Sequence, residues 1–365
     1  MTLTTVVILI GSLILLVVGA ELLVNGASKL AAILSISPLI IGLTIVAYGT
    51  SAPEMAVSVM SSLDGQADIA VGNAVGSNIF NTLLILGLSS LFTPLMVSRK
   101  LIRFEVPIVI GVSFLLLMFG LDGLLSRIDG SILFFGGVVY TFYLIYQSRR
   151  QINSSDRDEF AEEYGFLGTN SLVITLKYIG FVILGLCILV VASRLLVDSA
   201  SAIARSLGVS DLLIGLTIVS LGTSLPELAT SVMASIRGER DIAVGNVLGS
   251  NIFNIVAVLG VAGIIAPAGV LVSSTAIQFD IPVSIAVAFV CLPIFYSGNR
   301  IDRWEGLLFI AYYLMYLGYL ILNAVNYNGL LVYETVILVF VIPITVITII
   351  TAAIREKYSR QNRKQ

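Results

Sequence analysis

The chain has 365 residues, of which 58% are hydrophobic and 12% charged, and its mean hydropathy is +1.03. These values lie far above the range of soluble proteins and indicate an integral membrane protein. The sequence contains no histidine, which excludes serine-histidine hydrolases and histidine-ligated metal centres. Because a Walker loop and a dinucleotide fingerprint are missing as well, we expect neither an enzyme nor a bound cofactor.

The apolar residues form stretches that are long enough to cross a bilayer. A membrane-spanning helix needs about 20 consecutive apolar residues, and the sequence predicts eleven such spans. They begin near Val6, Pro38, Ile69, Phe104, Ile128, Tyr178, Asp211, Ile242, Ile277, Leu307 and Leu330. We therefore expect an all-α integral membrane protein.

The second span contains the stretch GTSAPEMAVSV, in which Pro53 and Glu54 interrupt the apolar run. Proline has no amide hydrogen to donate, so Pro53 leaves carbonyl oxygens free near Gly49. A charge at mid-membrane costs about 2.5–3.5 kcal/mol and persists mainly where it binds, pairs or relays. Since Thr50 and Ser51 share a helical face with Glu54, the break predicts a column of oxygen ligands for a cation.

The third span contains the stretch GNAVGSNIFN, which adds further polar groups. Ser77 and Asn81 lie four residues apart and therefore share one helical face. Gly72 and Gly76 have small-xxx-small spacing, which lets helices approach closely enough to form a shared pocket. Taken alone, this stretch fits ordinary helix packing equally well.

A polar segment divides the chain into two units. Residues 148–176 include the run SSDRDEFAEE and predict a short cytoplasmic connector, because the ligand spacing of a calcium-binding EF-hand is missing. The five predicted spans before the connector form a first unit, residues 1–147. The five spans after it form a second unit, residues 177–325.

The second unit repeats the first. Residues 210–261 match residues 37–88 at a constant offset of 173, with 33 identities in 52 positions and no gap. Both polar motifs recur, as GTSLPELATSV and GNVLGSNIFN. The match also reaches back to ELLVNGA at Glu21 and RLLVDSA at Arg194. Polar motifs that occur twice, each beside a proline-glutamate break, favour a binding site over packing alone.

The number of spans in each unit determines their relative direction. Five is odd, so matching helices of the two units cross the membrane in opposite directions. Inverted-topology repeats of this kind build many secondary transporters, which bind substrate near the bilayer midplane and alternate access between the two sides. With the amino terminus outside, 17 of the 20 lysines and arginines face the cytoplasm, as membrane proteins prefer. Residues 330–354 are then an extra C-terminal span, and 355–365 a basic cytoplasmic tail.

The groups expected at the two breaks are two carboxylates, several hydroxyls, amide oxygens and free carbonyls. Hard cations such as Ca2+ prefer oxygen, and no nitrogen or sulfur ligand is expected here. Two negative charges balance one Ca2+, two Na+ or two H+. Competition between these ions at one site would therefore produce exchange.

At these residues the sequence resembles the cation/Ca2+ exchanger superfamily, the sodium/calcium exchangers and their prokaryotic relatives. The duplicated GTSxPE and GNxxGSNxxN motifs are similar to the two alpha repeats of that family. The resemblance covers both five-helix units and implies that Glu54 and Glu227 are the central Ca2+ ligands. It also implies that backbone carbonyls near Ala47 and Ser220 join them.

The two repeats, together with what the resemblance implies, give the full set of predicted site residues. The expected ligands are Glu54, Glu227, Thr50, Ser51, Thr223, Ser224, Ser77, Ser250, Asn81, Asn254, Ala47 and Ser220, and the residues expected to shape the site are Pro53, Pro226, Gly49, Gly222, Gly76 and Gly249. Some sodium-coupled members of the family carry an aspartate at the position of Asn254. The pocket therefore has one carboxylate fewer than theirs, which leaves the coupling ion open.

The sequence thus predicts a multi-pass antiporter of the prokaryotic plasma membrane that exchanges Ca2+ for Na+. Its expected partners are these ions and the lipid bilayer, with no nucleic acid and no obligate protein partner. Exchange of Ca2+ for H+, or with participation of K+, is the alternative within the class. A passive cation channel is the alternative from another class, although a pocket between inverted halves argues against it.

Other charged residues in the predicted spans fit structural roles. Glu105 and Asp280 fall at matching points near helix ends, where capping or surface exposure is expected. Glu21 and Arg194 are expected to form gate or inter-helix contacts rather than to bind ions.

Overall fold

The computed structural model describes residues 3–34, 36–64, 68–151, 172–209, 220–296 and 298–325, together with residues 214, 217, 218, 330 and 335. Within these residues the regular secondary structure is helical apart from four strands of two residues each. Most of the predicted connector, nearly all of the predicted extra span and the whole basic tail lie outside the described residues.

The first unit contains eight α-helices in the described part of the chain. They are α1 (Leu3–Leu34), α2 (Pro38–Ile41), α3 (Ala47–Thr50), α4 (Ala52–Leu63), α5 (Asp68–Phe80), α6 (Leu86–Phe92), α7 (Val106–Gly120) and α8 (Arg127–Gln151). Short π-helical segments connect some of them into longer spans, at Gly42–Val46, Asn81–Ile85 and Leu101–Glu105. A π-helical turn in an α-helix often marks a functional site.

The described part of the second unit contains seven α-helices. Its described helices are α9 (Leu172–Ser206), α10 (Ser220–Gly222), α11 (Leu225–Ile236), α12 (Arg240–Phe253), α13 (Gly260–Ile265), α14 (Ile281–Tyr296) and α15 (Arg303–Ala324). The π-helical segments Asn254–Leu259 and Ala276–Asp280 recur at the places that match those of the first unit.

Nine of the eleven predicted apolar spans have counterparts among the described helices. Eight described helices are long and apolar enough to cross a membrane, and a ninth span is formed by two helices, 38–50 and 52–63, that meet at a bend of 44°. The predicted span near Asp211 falls largely on residues outside the described ones. Its described remainder is α10 and the short apolar helix α11.

The long helices α1 and α9 occupy matching places in the two units and pack along each other. Glycine makes this contact close: a Cβ at Gly185 would lie 2.7 Å from the backbone nitrogen of Leu23 and 2.8 Å from the carbonyl oxygen of Gly19. Since both neighbours are backbone atoms, a larger side chain at Gly185 could not be accommodated without moving a helix.

The spans that carry the GNxxGSNxxN motifs lie at the centre of the molecule. The span formed by α12 and α13, together with its counterpart in the first unit, is more buried than any other described span. Gly249 on α12 packs against the broken span, since its Cβ would lie 2.8 Å from the carbonyl oxygen of Leu43 and 2.8 Å from the Cβ of Ala47. The expected close approach is therefore present there. No described atom lies within 4 Å of the Cβ position of Gly76. Of the residues that match Leu43 and Ala47, Leu216 and the side chain of Ser220 lie outside the described ones.

Two short antiparallel ribbons join the units. Strand β1 (Leu95–Met96) of the first unit pairs with β4 (Arg300–Ile301) of the second, and β2 (Leu124–Leu125) pairs with β3 (Val270–Leu271). Each ribbon takes one strand from either unit, so the two halves are connected at both places. Among the described helices, α2 and α3 contact α12, α4 contacts α5, and α11 contacts α12.

Candidate ion-binding site

Each break in the structure occurs at a serine. Helix α3 ends at Thr50 and α4 begins at Ala52, so Ser51 lies between them with φ −80° and ψ 8°. Ser224 occupies the same place before α11 and has φ −88° and ψ 7°. Proline follows two residues later in both cases, which explains the break because proline cannot donate to the preceding turn. The glutamate then falls in the first helical turn.

The two glutamates are fully buried, and each is held by a serine of the opposite unit. Ser224 donates a hydrogen bond of 2.9 Å to Oε1 of Glu54, and Ser51 donates one of 3.1 Å to Oε1 of Glu227. Both carboxylates have no exposed surface. The two predicted breaks therefore meet in one buried, hydrogen-bonded cluster, which is called the pocket below.

Ser77 joins the Glu54 side of the pocket. Its hydroxyl lies 2.9 Å from that of Ser224 and 3.4 Å from Oε1 of Glu54. The matching Ser250 is fully buried, but its hydroxyl has no hydrogen-bond partner among the described residues. Ser77 and Ser250 thus occupy matching positions of the repeat but differ in their hydrogen bonds.

Two asparagines that the sequence analysis did not single out hydrogen-bond to the backbone of the two glutamates. Asn73 donates to the carbonyl oxygen of Glu54 at 3.2 Å and accepts from the hydroxyl of Thr223 at 3.3 Å. Asn246, its match in the second unit, donates to the carbonyl oxygen of Glu227 at 3.4 Å and lies 3.1 Å from the hydroxyl of Thr50. The sequence could have indicated Asn73, because it lies four residues before Ser77 and therefore on the same helical face.

A cluster of four asparagines lies where the two central spans cross. Asn81 donates to Oδ1 of Asn251 at 3.2 Å, and Asn254 donates to Oδ1 of Asn78 at 3.0 Å. The predicted ligands Asn81 and Asn254 thus have their amide nitrogens engaged by the opposite unit. Their Oδ1 atoms are buried and have no partner among the described residues.

The remaining predicted residues are found at the breaks. The carbonyl oxygen of Ala47, which the family resemblance implies as a ligand, accepts a hydrogen bond of 3.0 Å from the amide of Ser51. The backbone of Ser220 lies in α10, and its side chain is outside the described residues. Gly49 and Gly222 are where α9 approaches the breaks, since their Cβ atoms would lie 2.5 Å from Leu186 Cδ1 and 2.4 Å from Val197 Cγ2. Pro226 is buried and Pro53 half-buried.

Several of the predicted ligands carry a buried oxygen atom that has no hydrogen-bond partner in the described structure. Five of the predicted ligands each leave one buried side-chain oxygen without a hydrogen bond among the described residues: Glu54, Glu227, Asn81, Asn254 and Ser250. Leaving such an atom unsatisfied costs about 1–3 kcal/mol, and more when the group is charged. No described group of three or more histidine, cysteine, aspartate or glutamate side chains could hold a metal. A cation in this pocket would therefore depend on two carboxylates and neutral oxygens, a donor set that suits Ca2+ or Na+.

The expectation for Glu105 is wrong. Its side chain is 1% exposed and accepts a hydrogen bond of 2.5 Å from the hydroxyl of Tyr140. The reason is that the π-helical segment Leu101–Glu105 extends the span toward its amino end, which places Glu105 inside the helix rather than at its end. Asp280 is only partly buried and accepts from Tyr316 at 2.9 Å.

Apolar spans that enclose buried carboxylates and a shell of neutral oxygens define a membrane transporter for cations. The chain belongs to the sodium/calcium exchanger family. The model of that family, described as sodium/calcium exchanger protein, matches residues 4–148 and 177–322. The family consists of transporters rather than enzymes, which agrees with the expectation from composition.

Several relatives match nearly the whole chain. CaxA of Alkalimonas amylolytica, provisionally named an antiporter, is 42% identical over 87% of this chain and 98% of its own. The inner membrane protein YrbG of Escherichia coli is 42% identical over 80% of this chain and 89% of its own. The sodium/calcium exchanger MaX1 of Methanosarcina acetivorans is 31% identical over 87% of this chain and 98% of its own.

The fold also matches a solved structure. The sodium-calcium exchanger NCX_Mj, soaked with Na+ and Sr2+, superposes with a TM-score of 0.74 at 30% identity, over 87% of this chain and 99% of that chain. Together with the apolar spans and the inner-membrane relative, this match agrees with the predicted location, a multi-pass protein of the prokaryotic plasma membrane.

Asn73 allows a first test of the pocket. Replacing it by alanine leaves the carbonyl oxygen of Glu54 and the hydroxyl of Thr223 without their partner, so we expect the apparent affinity for the transported cation to fall about tenfold. Ser58→Ala is the matched control, because Ser58 accepts from the same amide at 3.1 Å without touching the carboxylate. Equal losses in both variants, measured as concentration dependence of ion uptake, would show that Asn73 does not act through Glu54.

Proposed function

We propose that the protein is a secondary antiporter that exchanges Ca2+ for Na+ at the pocket between its two units. The observation that carries this proposal is the pair of fully buried glutamates, one from each unit, each bonded to a serine of the other unit and each with one oxygen unpartnered within the described structure. Two buried negative charges need about two positive charges to offset them. One Ca2+ or two Na+ meets this requirement.

Competition at the pocket explains why transport of one ion would require the other. If both states of the pocket must be neutral before the units can move, Ca2+ leaves only when Na+ takes its place. The side chains proposed as ligands are those of Glu54, Glu227, Thr50, Ser51, Thr223, Ser224, Ser77, Ser250, Asn81 and Asn254, with the carbonyl oxygens near Ala47 and Ser220. The names of the relative MaX1 and of NCX_Mj, both sodium/calcium exchangers, support the choice of ions.

We further propose that the units are inverted-topology repeats of five spans each, with the amino terminus outside. The repeat at offset 173, the double match to the family model and the bias of 17 of 20 basic residues toward one side support this arrangement. The proposed units are residues 1–147 and 177–325, joined by the connector 148–176. The extra span 330–354 and the cytoplasmic tail 355–365 remain part of this proposal.

Exchange of Ca2+ for H+ is the second candidate. The observation that favours it is Asn254, a neutral side chain where some sodium-coupled family members carry an aspartate. With only two carboxylates, the pocket could be neutralised by two protons as well as by two Na+.

Uptake of 45Ca2+ into proteoliposomes distinguishes these candidates. Vesicles are loaded with Na+, or given a pH gradient without Na+, or given neither. We expect uptake that needs internal Na+. Uptake that follows only the pH gradient would replace Na+ by H+ in the proposal, and uptake that needs no counter-ion would contradict antiport and favour a channel.

A further inference from the structure

The orientation of the Asn254 amide follows from its neighbours. Asn78 places its Nδ2 3.0 Å from the backbone carbonyl oxygen of Asn251. A carbonyl oxygen can only accept, so the nitrogen of Asn78 must face it and Oδ1 must point the other way. That Oδ1 lies 3.0 Å from Asn254, which must therefore present its own nitrogen to it. The oxygen of Asn254 is thereby turned to the opposite side, where it is buried and unpartnered within the described structure.

The matching position in the first unit lacks this constraint. Asn81 donates to Oδ1 of Asn251, but Nδ2 of Asn251 lies 2.7 Å from the hydroxyl of Thr82. A hydroxyl can donate or accept, so it permits either orientation of the Asn251 amide. The fixed orientation thus belongs to the Asn254 side of the cluster alone.

We infer that Asn78 is a positioning residue that makes Asn254 present its oxygen, and not its amide nitrogen, as a neutral ligand to the transported cation. This inference rests on the proposed function, because it assigns Asn254 to the same pocket. An amide nitrogen in that place would carry hydrogens toward the cation and repel it. Asn78 therefore acts on cation affinity without touching the ion.

A double-mutant cycle tests the inference, with equilibrium binding of 45Ca2+ to the purified full-length protein as the readout. Asn78→Ala releases the Asn254 amide, and we expect Ca2+ binding to weaken about tenfold. In the N254D background the group at position 254 has two oxygens and no orientation to be fixed. There, N78A should cause no loss. Thr82→Val is the matched control from the same cluster and should change binding less than N78A.

Different results would contradict the role of Asn78 and the proposed Ca2+ binding. The same loss from N78A in both backgrounds would overturn it, because Asn78 would then act through packing. If N78A does not fold, Asn78→Leu, which keeps the number and branching of the side-chain heavy atoms, replaces it in the same cycle. Wild-type protein that binds no Ca2+ would instead contradict the proposed function.

A second observation concerns the charged residues outside the pocket. Glu21 on α1 accepts two hydrogen bonds from the guanidinium of Arg237 at the end of α11, one of them 2.8 Å from Nε. Helix α1 packs along α11 next to this pair. The offset of 173 relates Glu21 to Arg194 and Arg237 to Asp64. The repeat therefore places oppositely charged residues at the two matching positions as well, with the acidic and the basic residue exchanged.

The second pair is open in the structure. Arg194 on α9 and Asp64 at the end of α4 are both described and exposed, and they do not form an ion pair with each other. Helix α9 also does not pack along α4 in the way that α1 packs along α11. In the proposed topology the closed pair lies toward the cytoplasm and the open pair toward the outside. The asymmetry is the one expected of a transporter open to one side.

We propose that Arg194 and Asp64 form an ion pair in the other access state of the transporter, in which the ion pair between Glu21 and Arg237 is broken. Inverted repeats can produce the second access state by exchanging the conformations of their two halves. The exchange of signs between the two positions keeps an attractive pair in both states. This proposal rests on the proposed inverted repeat and is independent of the coupling ion.

Cysteine crosslinking tests it. Cys187 is exposed and Cys291 buried, and both are first replaced by alanine. The pairs E21C/R237C and D64C/R194C are then treated in membranes with a short bis-methanethiosulfonate reagent, which joins the two cysteines through disulfide bonds, and analysed on gels. We expect both pairs to crosslink, and each crosslink to abolish 45Ca2+ uptake until a reductant cleaves it. In a protein with all four cysteines, closing one pair should prevent crosslinking of the other.

The control pair is E21C/R194C, which the proposal never brings together and which should not crosslink. Failure of D64C/R194C to crosslink under every ion condition, while E21C/R237C does so, would overturn the proposal. Equal crosslinking of both pairs in the same molecule would also overturn it. Crosslinking is detected on gels without measuring transport, so this result can be interpreted even if the proposed ions are wrong.

Discussion

Glu54→Gln is expected to abolish ion exchange, with a loss of at least about 100-fold in the initial rate of 45Ca2+ uptake. The substitution keeps the shape of the side chain and the hydrogen bond from Ser224, but it removes one of the two charges that offset the cation. Because both glutamates are fully buried, water cannot reach the cation to compensate for the lost negative charge. Glu227→Gln should have the same effect for the same reason.

The matched control for these variants is Glu105→Gln. Glu105 is also a buried carboxylate within a span, but its partner is Tyr140 rather than a residue of the pocket. The amide oxygen of glutamine can still accept from Tyr140, so uptake should stay within about twofold of wild type. Exchange by E54Q at a rate close to that of E105Q would contradict the role of Glu54 in the pocket.

Gly249→Val is expected to destabilise the folded protein by about 3 kcal/mol or more. Its Cβ would lie 2.8 Å from the carbonyl oxygen of Leu43 and 2.9 Å from the Cα of the same residue. Backbone atoms cannot turn aside as a side chain would, so α12 must move away from the broken span. Thermal unfolding in detergent should show a Tm lower by about 5 to 10 °C, and the pocket should lose its geometry along with it.

Gly136→Val provides the comparison for this substitution. Gly136 lies on α8, is exposed, and has no described atom within 4 Å of its Cβ position. The same added side chain should therefore change the Tm by no more than about 2 °C. A G249V protein as stable as G136V would show that the central helices do not depend on this close contact.

The sequence predicted those parts of the site that depend on local covalent structure. Pro53 cannot donate a hydrogen bond to the preceding turn and therefore favours a kink or a new helix start, and the 44° bend lies at the residues before it. Glu54, Thr50 and Ser51 were assigned from helical spacing, and Glu54 and Ser51 now lie in one buried pocket. The internal repeat extended each of these assignments to the second unit.

The pairing between the units could not be predicted from spacing. That Ser224 binds Glu54, and Ser51 binds Glu227, depends on how two distant parts of the chain meet. The same is true of Asn73, whose position was visible in the repeat but whose partner Thr223 lies 150 residues away. Tertiary contacts of this kind leave no periodic signal in the sequence.

Glu105 was misjudged for a different physical reason. The sequence placed the start of the fourth span near Phe104, which put Glu105 at a helix end. The span begins earlier, with the π-helical segment Leu101–Glu105, so the carboxylate lies one turn inside. Helix boundaries follow from packing as well as from hydropathy, and here Tyr140 provides the partner that allows burial.

The most direct test of the account is equilibrium binding of 45Ca2+ to the purified protein over a range of Na+ concentrations. The account predicts one Ca2+ bound for each chain and displacement by Na+ with a slope of about two, because two Na+ replace the charge of one Ca2+. E54Q and E227Q should remove this binding. Ca2+ that stays bound at saturating Na+, or that binds E54Q and wild type alike, would contradict a single shared pocket.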